Sequence, residues 1–95
     1  MTAAGDIGAD AVPRFPRGVR LRFDRARERW LVLAPETVLT PDETAVEILR
    51  LVDGGRSVAA IAAALAEAFD APVEEIRADV ADLVADLVRQ GYLET

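Results

Sequence analysis

The chain has 95 residues, 52% of them hydrophobic, with a formal net charge of −6, enough for one domain that must bury a compact core. It contains no Cys, His or Lys, which removes disulfides, thiolate nucleophiles, imidazole bases, Schiff-base amines and the commonest zinc ligands. No run of about 18 apolar residues and no basic-then-apolar start is present, so membrane insertion and export are not indicated and a cytoplasmic place is expected.

Residues 1–12 are small, mixed and without period, and predict a flexible tail ahead of a domain over 13–95. Pro13 and Pro16 bracket Phe15 and keep that stretch extended. Val19, Leu21 and Phe23 alternate with Arg20, Arg22 and Asp24, the period of a strand with one buried face. A polar turn over Arg25–Glu28 leads to a second, nearly all-apolar strand, Trp30 to Ala34. Pro35-Glu36 breaks the run, and Thr37-Val38-Leu39-Thr40 is a short candidate third strand, short enough to lie at an edge.

Thr40-Pro41-Asp42-Glu43 predicts a helix start with Thr40 as N-cap and Glu43 closing a capping box. Ala45, Ile48, Leu49 and Val52 give this first helix an apolar face, and Gly54-Gly55 is expected to stop it. Ser57 predicts the cap of a second helix, with Val58, Ile61, Ala62, Leu65 and Phe69 on one side. A third helix is expected from about Pro72 to Gln90, closed by Gly91 in a left-handed conformation with Tyr92-Leu93 packing back. The fold class is therefore α+β: a three-stranded antiparallel ribbon followed by three helices, arranged like a winged helix-turn-helix.

Winged helices often bind DNA, but the third helix carries Glu74, Glu75, Asp79, Asp82 and Asp86 against Arg77 and Arg89, so phosphates would be repelled. A winged-helix transcription regulator is the rival reading, and no nucleic-acid partner is expected. The acidic stripe Glu75, Asp79, Asp82 and Asp86 reads as a solvated helix face rather than a metal site. No metal, nucleotide or other cofactor is expected, since neither a ligand cluster nor a phosphate-cradling glycine loop is present. Charge is segregated: residues 14–29 sum to +5 and residues 30–95 to −9, a basic ribbon before an acidic helical body.

Gly18-Val19-Arg20-Leu21, Asp24 with Arg27 in the turn, Leu33-Ala34-Pro35-Glu36, a helix with Ala45, Ile48 and Leu49 ending in Asp53-Gly54, and Gly91-Tyr92-Leu93 after a long helix form an ordered set over residues 13–95. As a set it resembles the PqqD family of peptide chaperones in pyrroloquinoline quinone biosynthesis. The resemblance implies a non-catalytic protein that binds a PqqA-like ribosomal precursor peptide and presents it to a PqqE-like radical S-adenosylmethionine (SAM) enzyme. The same domain serving another peptide-modifying pathway is a further alternative, and fusion to another biosynthetic enzyme is compatible with the resemblance.

The third helix has an apolar arc broader than one-sided packing needs, which admits two readings, two-sided core or the rim of a groove; pattern alone favours core. The resemblance implies that a peptide binds where the third strand meets the third helix. That places Thr37, Val38, Leu39 and Thr40 on the strand and Ile76, Val80, Leu83, Val84 and Leu87 on the helix at the site. The expected mechanism is β-augmentation at a free strand edge. Arg20, Arg22, Arg25, Arg27 and Arg29 are the candidates for contacts with acidic groups of a partner.

Overall fold

The computed structural model describes residues 7–95. Three strands, β1 (Arg20–Asp24), β2 (Arg29–Leu33) and β3 (Val38–Leu39), precede three helices, α1 (Glu43–Leu49), α2 (Val58–Phe69) and α3 (Val73–Gln90). The sheet is antiparallel in the order β1-β2-β3, so β1 and β3 are its two edges. The expected ribbon and three helices are thus present in the expected order.

Alternation in β1 and β2 decides which face of the sheet is buried. Leu21 pairs with Val32 and Val32 with Leu39, and Val32 is fully buried against Ile48, Leu49, Ile61, Val80 and Val84. Phe23 pairs with Trp30, their rings meeting edge to face at 5.3 Å, and the Arg50 guanidinium lies 5.3 Å from the Trp30 ring centroid. These contacts pin β2 to the end of α1. The opposite row, Arg20, Arg22, Leu31, Leu33 and Val38, faces away from the helices.

Helix α1 departs from the expected cap. Its N-cap is Asp42 rather than Thr40: the Asp42 carboxylate accepts a hydrogen bond from the Ala45 N–H at 2.8 Å. Thr40 precedes a proline, which favours extended backbone, so the chain runs extended through Pro41 and turns only at Asp42. The helix also ends at Leu49, well before Gly54, and continues in tighter turns closed by Leu51 N–H to Ile48 C=O and Val52 N–H to Leu49 C=O. Val52 is still buried with Ala45, Ile48 and Leu49, so the face survives the earlier stop.

Asp53 shapes the turn into α2. Its carboxylate accepts from the Gly55 and Arg56 amides, both at 2.9 Å, and Gly54 takes φ +80. The Gly55 and Arg56 hydrogen bonds hold the Asp53 carboxyl below its ordinary value. A depressed carboxylate stabilises the fold above its unfolded pKa and loses that contribution as pH falls through the lowered folded value. Asp53→Asn should therefore flatten the acid limb of a stability-pH profile below about pH 4; a profile identical to wild type would remove Asp53 from the acid response.

Ser57 caps α2 as expected, accepting from the Ala60 N–H at 3.1 Å. The two preceding free amides of that helix are met by an unforeseen partner, the segment before Pro13. Val58 N–H bonds to the Ala11 carbonyl at 2.8 Å and Ala59 N–H to the Ala9 carbonyl at 3.0 Å. Of the expected tail, residues 1–6 lie outside the described residues, while Ile7 and Ala11 pack on the core. A two-way backbone bridge between Arg14 and Glu94, reinforced by their 2.8 Å ion pair, fixes the next stretch. A truncation beginning at Pro13 should lower stability by about 1 to 2 kcal/mol, through the lost caps and the lost Ile7 contact. An unchanged melting temperature would mean that the segment adds nothing.

Helix α3 starts after Pro72 and closes at Gly91, φ +87, with Tyr92 N–H bonding to the Leu87 carbonyl at 2.8 Å, as the sequence predicts. Among the described residues no helix is long and apolar enough to cross a membrane.

Candidate functional site

The free edge of β3 can be assigned atom by atom. Ala34 N–H donates to the Thr37 carbonyl at 3.0 Å, which makes Ala34 and Thr37 a hydrogen-bonded pair closing the Pro35-Glu36 turn. Bonded and non-bonded pairs alternate along an antiparallel ladder. The next pair, Leu33 with Val38, is then non-bonded, and Val32 with Leu39 is bonded. The N–H and C=O of Val38 consequently point away from β2, toward the open edge, while those of Leu39 are spent on the sheet. The Val38 side chain is 60% exposed, whereas Leu39 is half-buried against the core.

Across from this edge lies α3. Its C-terminal end is tied to the start of β3 by a 3.0 Å hydrogen bond between the Thr37 and Tyr92 hydroxyls. Its N-terminal end reaches the first turn of α1, where Ile76 and Asp79 line a cleft of about 280 Å³ with Glu43, Thr44, Ile48 and Phe69. Helix α3 therefore runs antiparallel to the β3-to-α1 segment. Ile76, Asp79 and Leu83, at successive turns, share the stripe that joins these two ends.

The nine expected peptide-site residues separate into three groups. Thr37, Val38 and Thr40 are exposed on or beside the edge, and Leu39 sits half-buried behind them. Ile76 and Leu83 are half-buried and border the stripe. Val80, Val84 and Leu87 are buried in the core, packed with Val32, Leu49 and Ile61, where a peptide side chain could touch them only by displacing that packing. The middle of the broad apolar arc of α3 is therefore core, and its margin, Ile76 and Leu83, is half-buried. Tyr92, Thr44 and Phe69 were not singled out from sequence for this region; the Gly91 stop before an aromatic residue was the one available signal, and it marked a helix end.

The stripe is acidic. Glu43, Glu47 and Asp79 stand at the cleft, and Asp82 is exposed one turn further along α3. Both arginines of α3 are neutralised within the helix, Arg77 by Glu74 and Arg89 by Asp86. No cationic row is left on α3 to follow a phosphate backbone, which argues against its use as a DNA-reading helix.

The five expected partner arginines are not brought to this site. Arg20 and Arg22 lie on β1, the far edge of the sheet, and Arg25, Arg27 and Arg29 occupy the β1–β2 turn and the start of β2. Arg27 is engaged locally: its guanidinium is 3.3 Å from the Asp24 carboxylate. Partial desolvation raises the Asp24 carboxyl, but hydrogen bonds from the Arg27 amide, the Arg27 guanidinium and the Ala26 amide outweigh it and hold the group below its ordinary value.

Residues 29–93 match the family profile of Coenzyme PQQ synthesis protein D (PqqD). A PqqA binding protein of Rhodopseudomonas palustris (strain HaA2) is 54% identical over 87 residues, spanning 92% of this chain and 85% of that protein. The solution structure of the PqqD truncation of Methylobacterium extorquens PqqCD superposes with a TM-score of 0.83 at 41% identity, covering 97% of this chain and 98% of that one. That domain is described as a functional, stand-alone recognition element for ribosomally synthesised and post-translationally modified peptides. A lasso peptide synthetase B1 solved with its leader peptide shares the fold, with a TM-score of 0.74 at 20% identity over 90% of this chain and all of that one.

Proposed function

The chain belongs to the PqqD family, and on that premise we propose that it binds a PqqA-like precursor peptide by strand addition to β3. The observation that carries the reading is the outward-facing N–H and C=O of Val38 on a two-residue edge strand. An extended peptide pairing there completes the ladder, and its alternate side chains fall toward Ile76 and Leu83 on α3. Main-chain bonds supply affinity and the rim of α3 supplies selection.

The binding role is non-catalytic in this reading. Without Cys, His or Lys, the side chains able to attack or shuttle protons reduce to carboxylates and hydroxyls, and strand addition needs none of them. The chain then orders the peptide and presents it, in the cytoplasm, to a radical SAM enzyme that carries the redox chemistry.

Titration of isotope-labelled protein with the precursor peptide tests the site. Amide shifts should concentrate at Val38, Leu39, Ile76 and Leu83 and near the Thr37–Tyr92 tie. Binding with shifts confined to β1 or to α2 would move the peptide off this edge, and no binding would end the reading.

A further inference from the structure

The arginines of this acidic protein fall into two classes. Arg14, Arg27, Arg50, Arg56, Arg77 and Arg89 each have a carboxylate partner. The other five, Arg17, Arg20, Arg22, Arg25 and Arg29, have none among the described residues, although the chain carries 17 acidic side chains. All five lie on the ribbon or its flanking turns.

Their position on the sheet is as uneven as their pairing. Arg20 stands beside Leu33 and Arg22 beside Leu31, and Leu33 stands beside Val38, all on the face turned away from the helices. Leu31 and Leu33 are half-buried and Val38 is exposed, and a shallow groove bounded by Arg22, Asp24, Arg25, Leu31 and Leu33 crosses this face. The result is an apolar strip bordered by unpaired guanidinium groups. Desolvating the strip is favourable, and the guanidinium groups can make charge-assisted contacts with carboxylates.

We propose that this outer sheet face docks a folded partner whose surface carries carboxylates around an apolar centre, and that the partner is the enzyme that modifies the peptide. The assignment rests on the proposed strand addition. A peptide strand added beyond Val38 extends the same sheet, and every second side chain of it projects onto the outer face. A partner seated over Leu31, Leu33 and Val38 therefore lies beside the outward row of the bound peptide. The β3 edge holds the peptide's backbone while the outer face brings up the protein that must reach its side chains. Nucleic acid fits less well, because leucines occupy the centre of the strip and residues 30–95 sum to −9.

The test uses the full chain, the precursor peptide and the purified radical SAM enzyme. The double variant Arg20→Glu/Arg22→Glu should keep its fold, since both side chains are exposed. It should bind peptide within about twofold of wild type but bind the enzyme about tenfold or more weakly at low salt. Added salt should weaken the wild-type complex with the enzyme and narrow the difference. Leu31→Ser should weaken the enzyme complex by a salt-independent factor. Undiminished enzyme affinity in the double variant overturns the proposal, as does failure of the wild-type chain to bind the enzyme. An equal loss of peptide affinity assigns the arginines to the peptide and also overturns it. Dimers of the wild-type chain that the variant abolishes, or duplex DNA bound more tightly than the enzyme, would give the face to another occupant. Failure of wild type to bind peptide instead strikes the strand-addition reading itself.

Discussion

Val38→Pro should leave a folded protein that has lost most of its peptide affinity, and Leu39→Pro should lose the ribbon. The two positions are adjacent and both apolar, so composition does not separate them; the hydrogen-bond phase of the ladder does. Proline removes one N–H. At Val38 that N–H faces the open edge, where the fold makes no use of it and an edge strand tolerates the ring. An added peptide strand would find its acceptor unanswered, at about 1 to 3 kcal/mol, roughly a 5- to 100-fold weaker complex. At Leu39 the lost N–H is the partner of Val32, whose side chain is fully buried, and the substitution also removes a leucine packed on the core. Together these cost about 3 to 5 kcal/mol, a large part of the stability of a domain this size. Circular dichroism and peptide titration on both variants check the pair. If Val38→Pro folds and binds peptide at full strength, the peptide does not add to β3.

The sequence exposed the fold where periodicity and caps agree. The alternation of Leu21 against Arg20 and Arg22, the Ser57 cap and the Gly91 stop each specify a local geometry with one good solution and appear as expected, whereas Phe23, expected on the buried face, is exposed at the end of β1 beside Trp30. Where two residues compete for one role, sequence alone chose wrongly: Thr40 and Asp42 are both good caps, and the proline between them favours the later one. The strap from Ile7 to Val12 was not legible, because backbone carbonyls do the capping and their use leaves no trace in residue type. The candidate site was half legible. A short β-prone run before a capped helix pointed to an edge strand, but which residue faces outward depends on the register that the Pro35-Glu36 turn sets. On α3, the apolar arc fixed the buried side without separating its core from its margin, since that line is drawn by how the neighbouring elements pack on the helix.

Leu87→Ala and Leu83→Ala should draw that line experimentally. Leu87 is buried among core side chains, so truncation leaves a cavity costing about 2 to 5 kcal/mol. At 4 to 8 °C per kcal/mol for a domain of this size, the melting temperature should fall by roughly 10 to 30 °C. Any loss of peptide binding in that variant should track its unfolded fraction. Leu83 is half-buried on the stripe shared with Ile76 and Asp79, so the alanine variant forfeits less packing, about 1 kcal/mol. Its loss should appear instead in the complex, as a several-fold weaker peptide at a temperature where the protein is fully folded. The two variants thus carry different signatures, a loss mainly of stability for Leu87 and a loss mainly of peptide affinity for Leu83. Peptide affinity unaffected by Leu83→Ala would leave β3 as a bare backbone template and remove α3 from recognition, because Leu83 and Ile76 are the half-buried apolar side chains that line its stripe.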